Sequence, residues 1–116
     1  MRTLKDIKQI ISNCGDTFEL VGKGPEEIND NLFFYDDIDT EWTSGKSLRS
    51  ILDETVGLDE YAGCGYYIDP NYDNNLPPLK EVEIWYGYYN CPVFGDVSIN
   101  VLKYKDDIIL AEYSCD

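Results

Sequence analysis

The sequence predicts an α+β domain formed by residues 1–116 as a single unit, a mainly antiparallel sheet of about five strands with two helices on one face. Three observations carry that prediction. Over residues 80–90, Val82, Ile84, Tyr86 and Tyr88 alternate with Glu83, Trp85, Gly87 and Tyr89, the period of two that separates the faces of a strand. Residues 96–104 and 108–113 are β-branched runs joined by Lys105-Asp106-Asp107, a hairpin signal. Two stretches instead repeat their apolar residues at helical spacing: Leu4, Ile7, Ile10, Ile11 and Cys14, then Leu48, Ile51, Leu52 and Val56.

In chain order, Thr3 is a natural N-cap, with Asp6 three residues on to complete a capping box, and Gly15 ends the first helix. Residues 17–22 read as a short strand with Phe18 and Leu20 inward, or Val21 if both faces are covered. Gly22-Lys23-Gly24-Pro25 breaks it. Residues 32–39 read as a second strand, apolar at Leu32, Phe33, Phe34 and Tyr35 and acidic afterwards. Ser44, Gly45 and Ser47 offer starts for the second helix, and Gly57 offers its stop. Asp53 and Glu54 fall late in that helix, against the macrodipole. A further strand is expected within residues 61–68, then a polar, proline-bearing loop over 69–78. No internal repeat or low-complexity tract interrupts the order.

Charge is the unusual property. Twenty-three acidic residues against nine basic ones give −14, and histidine is absent. A field of that sign repels nucleic acid and anionic membrane and steers the chain toward basic partners. An aromatic share of 14% argues against disorder. No apolar run reaches the roughly 18 residues of a membrane span, and the N-terminus has no signal-like apolar stretch, so the cytoplasm is the expected compartment. There, Cys14, Cys64, Cys91 and Cys115 are expected as reduced thiols, and no CxxC pair marks a zinc or redox site.

Familiar motifs are incomplete. Gly45-Lys46-Ser47 resembles the end of a phosphate-binding loop, but Thr40 stands where the loop needs glycine. Asp69, Asn71 and Asp73 alternate as the first ligands of a calcium loop do. Asn74 replaces its turn glycine and Lys80 its last carboxylate, which argues for an Asx-rich loop instead. Histidine-based catalysis is excluded, Cys64 lies among acids rather than cations, and no carboxylate pair is singled out among so many. The sequence therefore predicts neither an enzyme nor a cofactor.

What remains is the charge pattern. Between Gly24 and Leu79, thirteen acids face only Lys46 and Arg49, a net of −11, whereas the segment before is +1 and the segment after −4. Asp37, Asp39 and Glu41, if extended, point to one side at intervals of about 6.7 Å. With Asp36, Asp53, Glu54, Asp59 and Glu60 they form a candidate surface for a basic partner, and Trp42, Tyr66 and Tyr67 are its candidate anchors. Tyrosines at 66, 67, 72, 86, 88 and 89 exceed what one small core buries, given that each hydroxyl wants a partner.

In size, charge and aromatic content the chain resembles, in general character, the acidic inhibitors that phages and mobile elements direct at nucleases (anti-CRISPR and anti-restriction proteins), and the immunity proteins of nuclease toxins. The resemblance implies an inhibitor occupying a basic, nucleic-acid-binding surface of a partner enzyme. It rests on no motif and assigns no residue. The alternatives are a ligand-binding or accessory domain using a tyrosine-rich sheet face, and a carboxylate-based hydrolase.

Overall fold

The computed structural model describes residues 2–33, 47–56, 64–72 and 76–115. Helix α1 (Leu4–Cys14) opens with the reciprocal cap that the sequence predicts. The Thr3 hydroxyl accepts the Asp6 N–H and the Asp6 carboxylate accepts the Thr3 N–H, both at 3.2 Å. The bond from the Thr3 N–H, aided by the hydroxyl and by Arg2 and Lys5, holds the Asp6 carboxyl below its ordinary pKa. Gly15, at φ 58°, ends the helix.

A short turn leads to β1 (Glu19–Lys23), and α2 (Pro25–Asn31) follows at once. That helix lies where the sequence suggested only a break. Gly24 takes φ 91°, and Pro25 sits at the first helical turn, where its missing N–H costs nothing. Leu32 and Phe33 follow α2 as non-strand residues, so the strand expected over 32–39 does not begin there; its remainder lies outside the described residues, as do Ser44, Gly45 and Gly57. Next come α3 (Leu48–Val56), β2 (Cys64–Ile68), β3 (Glu83–Cys91), β4 (Gly95–Tyr104) and β5 (Asp107–Cys115). Lys105, at φ 55°, turns β4 into β5.

The five strands form one sheet in the order β1-β3-β4-β5-β2, every neighbouring pair antiparallel. The α+β class and the five-stranded antiparallel sheet are thus as predicted. Two helices do share one face, but they are α2 and α3. Ile28, Leu48, Ile51 and Leu52 pack there on Ile68, Ile84, Leu102 and Leu110. The first helix covers the opposite face, where Ile7 and Cys14 meet Ile99, Val101, Ala111 and Tyr113. Each of the fully buried Ile and Leu side chains contributes about 1.5–3 kcal/mol by leaving water.

A polar row crosses this sandwich. Tyr86, Asn100, Glu112 and Tyr66 stand opposite one another on β3, β4, β5 and β2, and therefore on one face. Asn100 and Glu112 are buried. The Asn100 amide donates to Glu112 Oε1 at 3.0 Å and to the Asn31 carbonyl at 2.6 Å, and the Phe33 N–H donates to the same carboxylate oxygen. A buried carboxylate is tolerated because such donors replace its water. The row ties the end of α2 to the middle of the sheet.

Candidate functional site

On the face that carries α2 and α3, the side chains change character along each strand. Ile84 on β3 and Leu102 on β4 are buried in the core beneath the helices. Two residues along, Tyr86 and Asn100 form the polar border. Beyond it the same alternation brings Tyr88 and Asn90 of β3 opposite Ser98 and Asp96 of β4. Here the sheet is open: Tyr88 is 54% exposed, and Asn90 and Asp96 are exposed.

These residues line a groove of about 530 Å³ that runs around the edge of β3 toward Thr17 and Cys14. Its walls are ordered by their own contacts. Asn90 Nδ2 donates to Asp96 Oδ1 at 2.8 Å, and the Tyr86 hydroxyl donates to Ser98 Oγ at 3.3 Å. Phe33 meets the Tyr86 ring edge-on at 6.3 Å, and the Tyr86 and Tyr88 rings lie 6.2 Å apart at 37°. Past the end of β1, Thr17 takes over pairing of the β3 edge. Its hydroxyl oxygen accepts the Tyr88 N–H at 3.0 Å and lies 2.6 Å from the Tyr88 carbonyl. Gly87 allows α1 this close, since a Cβ there would stand 3.0 Å from both Cys14 Sγ and the Phe18 ring.

The adjoining edge is acidic. Asp16 precedes β1, Glu19 lies opposite Tyr86, and Glu26, Glu27 and Asp30 project from α2, which packs against β1 and β3. All five carboxylates are exposed, and none has a cation at ion-pair distance among the described residues. At the other end of the sheet, Lys23, Glu83 and Lys103 stand side by side across β1, β3 and β4, with Glu81 and Lys105 beside them. Three cations there and elsewhere lie over the chain's own rings: Lys103 over Trp85 (4.8 Å), Lys105 over Tyr104 (5.3 Å) and Arg2 over Tyr113 (5.9 Å). No described cation lies over Tyr86 or Tyr88.

Cys14 borders the groove, but burial raises its thiol pKa, with the Thr17 hydrogen bond opposing the shift only in part. It is a protonated, packed thiol rather than a nucleophile. Cys14 and Cys91 are free thiols.

The structure redistributes the expected site residues. Tyr66 and Tyr67 are corrected: at 8% and 6% exposure they belong to the cores on the two faces and offer no surface to a partner. Burial first, and then the nearby Asp69 charge, push the Tyr67 hydroxyl pKa up. Asp53 is exposed on α3, 3.7 Å from the Arg49 guanidinium, a surface pair of small energetic weight; Glu54 follows it on the same helix. Asp36, Asp37, Asp39, Glu41, Trp42, Asp59 and Glu60 lie outside the described residues, as does Asp73 of the calcium candidate. Asp69 Oδ1 accepts the Asn71 N–H at 2.8 Å, an Asx turn.

Asp16, Glu19, Asn90 and Asp96 were missed by sequence reasoning. Carrying the alternation of β3 through to its hairpin partner would have paired Asn90 with Asp96 and set both beside Tyr88.

No family model, curated protein or solved structure matches the chain. The chemistry of the surface is therefore its own guide: exposed rings, uncompensated carboxylates and amide acceptors suit a cationic, hydrogen-bond-donating ligand.

Proposed function

We propose that the protein is a non-enzymatic inhibitor that docks by its acidic, tyrosine-bearing edge onto a basic surface of a partner protein, one that otherwise holds nucleic-acid phosphate. One observation carries this reading. The exposed carboxylates of Asp16, Glu19, Glu26, Glu27 and Asp30 lack cationic partners among the described residues, and the first two adjoin groove residues Thr17 and Tyr86, in a chain of net charge −14. Carboxylates left unpaired at a sheet edge raise the local concentration of a basic partner and fix its orientation, while the rings supply desolvated contact area. Long-range repulsion keeps nucleic acid itself, and anionic membrane, off the same surface. Among the described residues no helix is long and apolar enough to cross a bilayer.

The groove also bears on the alternative of a sugar platform. Rings inclined at 37° do not lie flat on one sugar face together, which favours a protein partner over a sugar. A hydrolase finds little support in the same groove, whose lining holds Asp96 as its carboxylate and no thiolate.

The test is inhibition of DNA binding by a panel of purified nucleases and restriction enzymes. Inhibition by the wild-type protein should weaken steeply between about 50 and 200 mM salt. It should also be relieved by Glu19→Gln combined with Glu26→Gln and Glu27→Gln. Inhibition that is indifferent to salt and to these three changes would contradict the reading.

A further inference from the structure

The groove between Tyr88 and Asp96 has features beyond a general negative field. Its Tyr88 ring lies at an exposed strand end beside the half-buried Tyr86, with no described cation above either ring, although Lys103, Lys105 and Arg2 each occupy another ring. One carboxylate oxygen of Asp96 is held by Asn90, and that bond orients the carboxylate; the other oxygen has no partner among the described residues. Because the Asn90 amide nitrogen is engaged with Asp96, its oxygen is left to accept. Ser98, whose hydroxyl accepts from Tyr86, supports the ring nearest the core. The Tyr88 backbone is already bonded to Thr17, so at this point the edge is closed to an added strand and recognition falls to side chains.

We infer that this groove is the subsite for an arginine side chain of the basic partner, its guanidinium stacked on the Tyr88 ring and hydrogen-bonded to Asp96 and Asn90. The inference rests on the binding reading above and specifies the chemistry of one contact within it. A guanidinium is planar, so it covers a ring face while its in-plane N–H groups reach a carboxylate and an amide oxygen at the ring's margin. An ammonium is a point donor with a tight water shell and gains less from the same walls. The groove, at about 530 Å³, admits a side chain and its flanking backbone rather than a helix.

The experiment compares binding of two synthetic peptides of equal length and charge, one hexa-arginine and one hexa-lysine, by isothermal titration at low and moderate salt. It uses the wild-type chain and the variants Tyr88→Leu and Asp96→Asn. Tyr88 and Asp96 are exposed, so both variants should keep the native circular dichroism spectrum. The expected result is tighter binding of the arginine peptide, a preference that survives added salt, and a loss of about 2- to 5-fold in arginine affinity on Tyr88→Leu, with the lysine peptide almost unaffected. Equal affinity for the two peptides, or an arginine preference that both variants retain, would overturn the subsite while leaving the acidic-surface reading intact. If neither peptide bound even at low salt, both readings would be overturned.

Discussion

Near the start of β3, Trp85 is stacked on Phe18 at 5.4 Å, donates its indole N–H to Glu83, and carries the Lys103 ammonium 4.8 Å from its ring centroid. Three residues later Tyr88 is just over half exposed, touches Tyr86, and has no described cation above it. At the first end carboxylates and lysines alternate across β1, β3 and β4, so opposite charges are neighbours there; at the second, Asp16, Glu19 and Asp96 face solvent with no cation at ion-pair distance among the described residues. Rings are thus covered by cations at one end and left open, among the described residues, at the other. The difference teaches that net charge alone does not locate a binding surface. What locates it is the place where charge and aromatic area are not already matched within the chain.

The comparison can be broken most severely through the core that separates the ends. Leu102→Ala, two residues from the polar border, should cost about 2–5 kcal/mol in urea unfolding, whereas Tyr88→Ala should cost less than about 0.5 kcal/mol. Comparable losses would mean that the tyrosine end is structural after all. Gly87→Ala should follow, at about 1–3 kcal/mol, since the new methyl would press on Cys14 and Phe18 and lift α1 from β3. A thermal melt detects it, and an unchanged midpoint would show that α1 yields without strain.

Smaller effects sharpen the contrast. Lys103→Gln removes the cation over Trp85 and should lower stability by about 0.5–1 kcal/mol in the same assay, while affinity for basic peptides holds or rises slightly. The smallest effect concerns pH. The buried Cys14 thiol has a folded pKa raised above its ordinary value of 9.0. Its contribution is therefore fully present below about pH 9 and is lost as pH climbs from there through the folded value, because the unfolded thiol ionises first. Urea titrations at rising pH should show this decline, reduced in Cys14→Ala. A decline of equal size in that variant would assign the alkaline loss elsewhere, with Tyr67, also shifted upward, the first alternative.

Local signals in the sequence were sufficient for much of the fold. The Thr3–Asp6 cap, the stop at Gly15, the alternation of β3 and the turn at Lys105 each depend on neighbours within a few residues, and each formed. The short helix α2 was not legible. Gly24-Pro25 reads as a break, and whether a proline ends one element or begins another depends on where Ile28 finds its core. The burial of Tyr66 and Tyr67 was hidden for a related reason. Adjacent strand residues point to opposite faces, and both are buried only when both faces are covered, which requires α1 to lie across the sheet from α2 and α3. The buried Asn100–Glu112 pair joins polar residues on two strands, and spacing along either strand gives no hint of it. The open groove depends on the same long-range fact, because it is the part of one face that the described helices leave uncovered.

The most direct measurement is amide hydrogen exchange across the sheet with saturating hexa-arginine peptide, read against the free protein. The account expects added protection around Tyr86–Asn90 and Asp96–Ser98, and none at Lys103–Asp107. Protection at the lysine end, or spread evenly over β3 and β4, would contradict it.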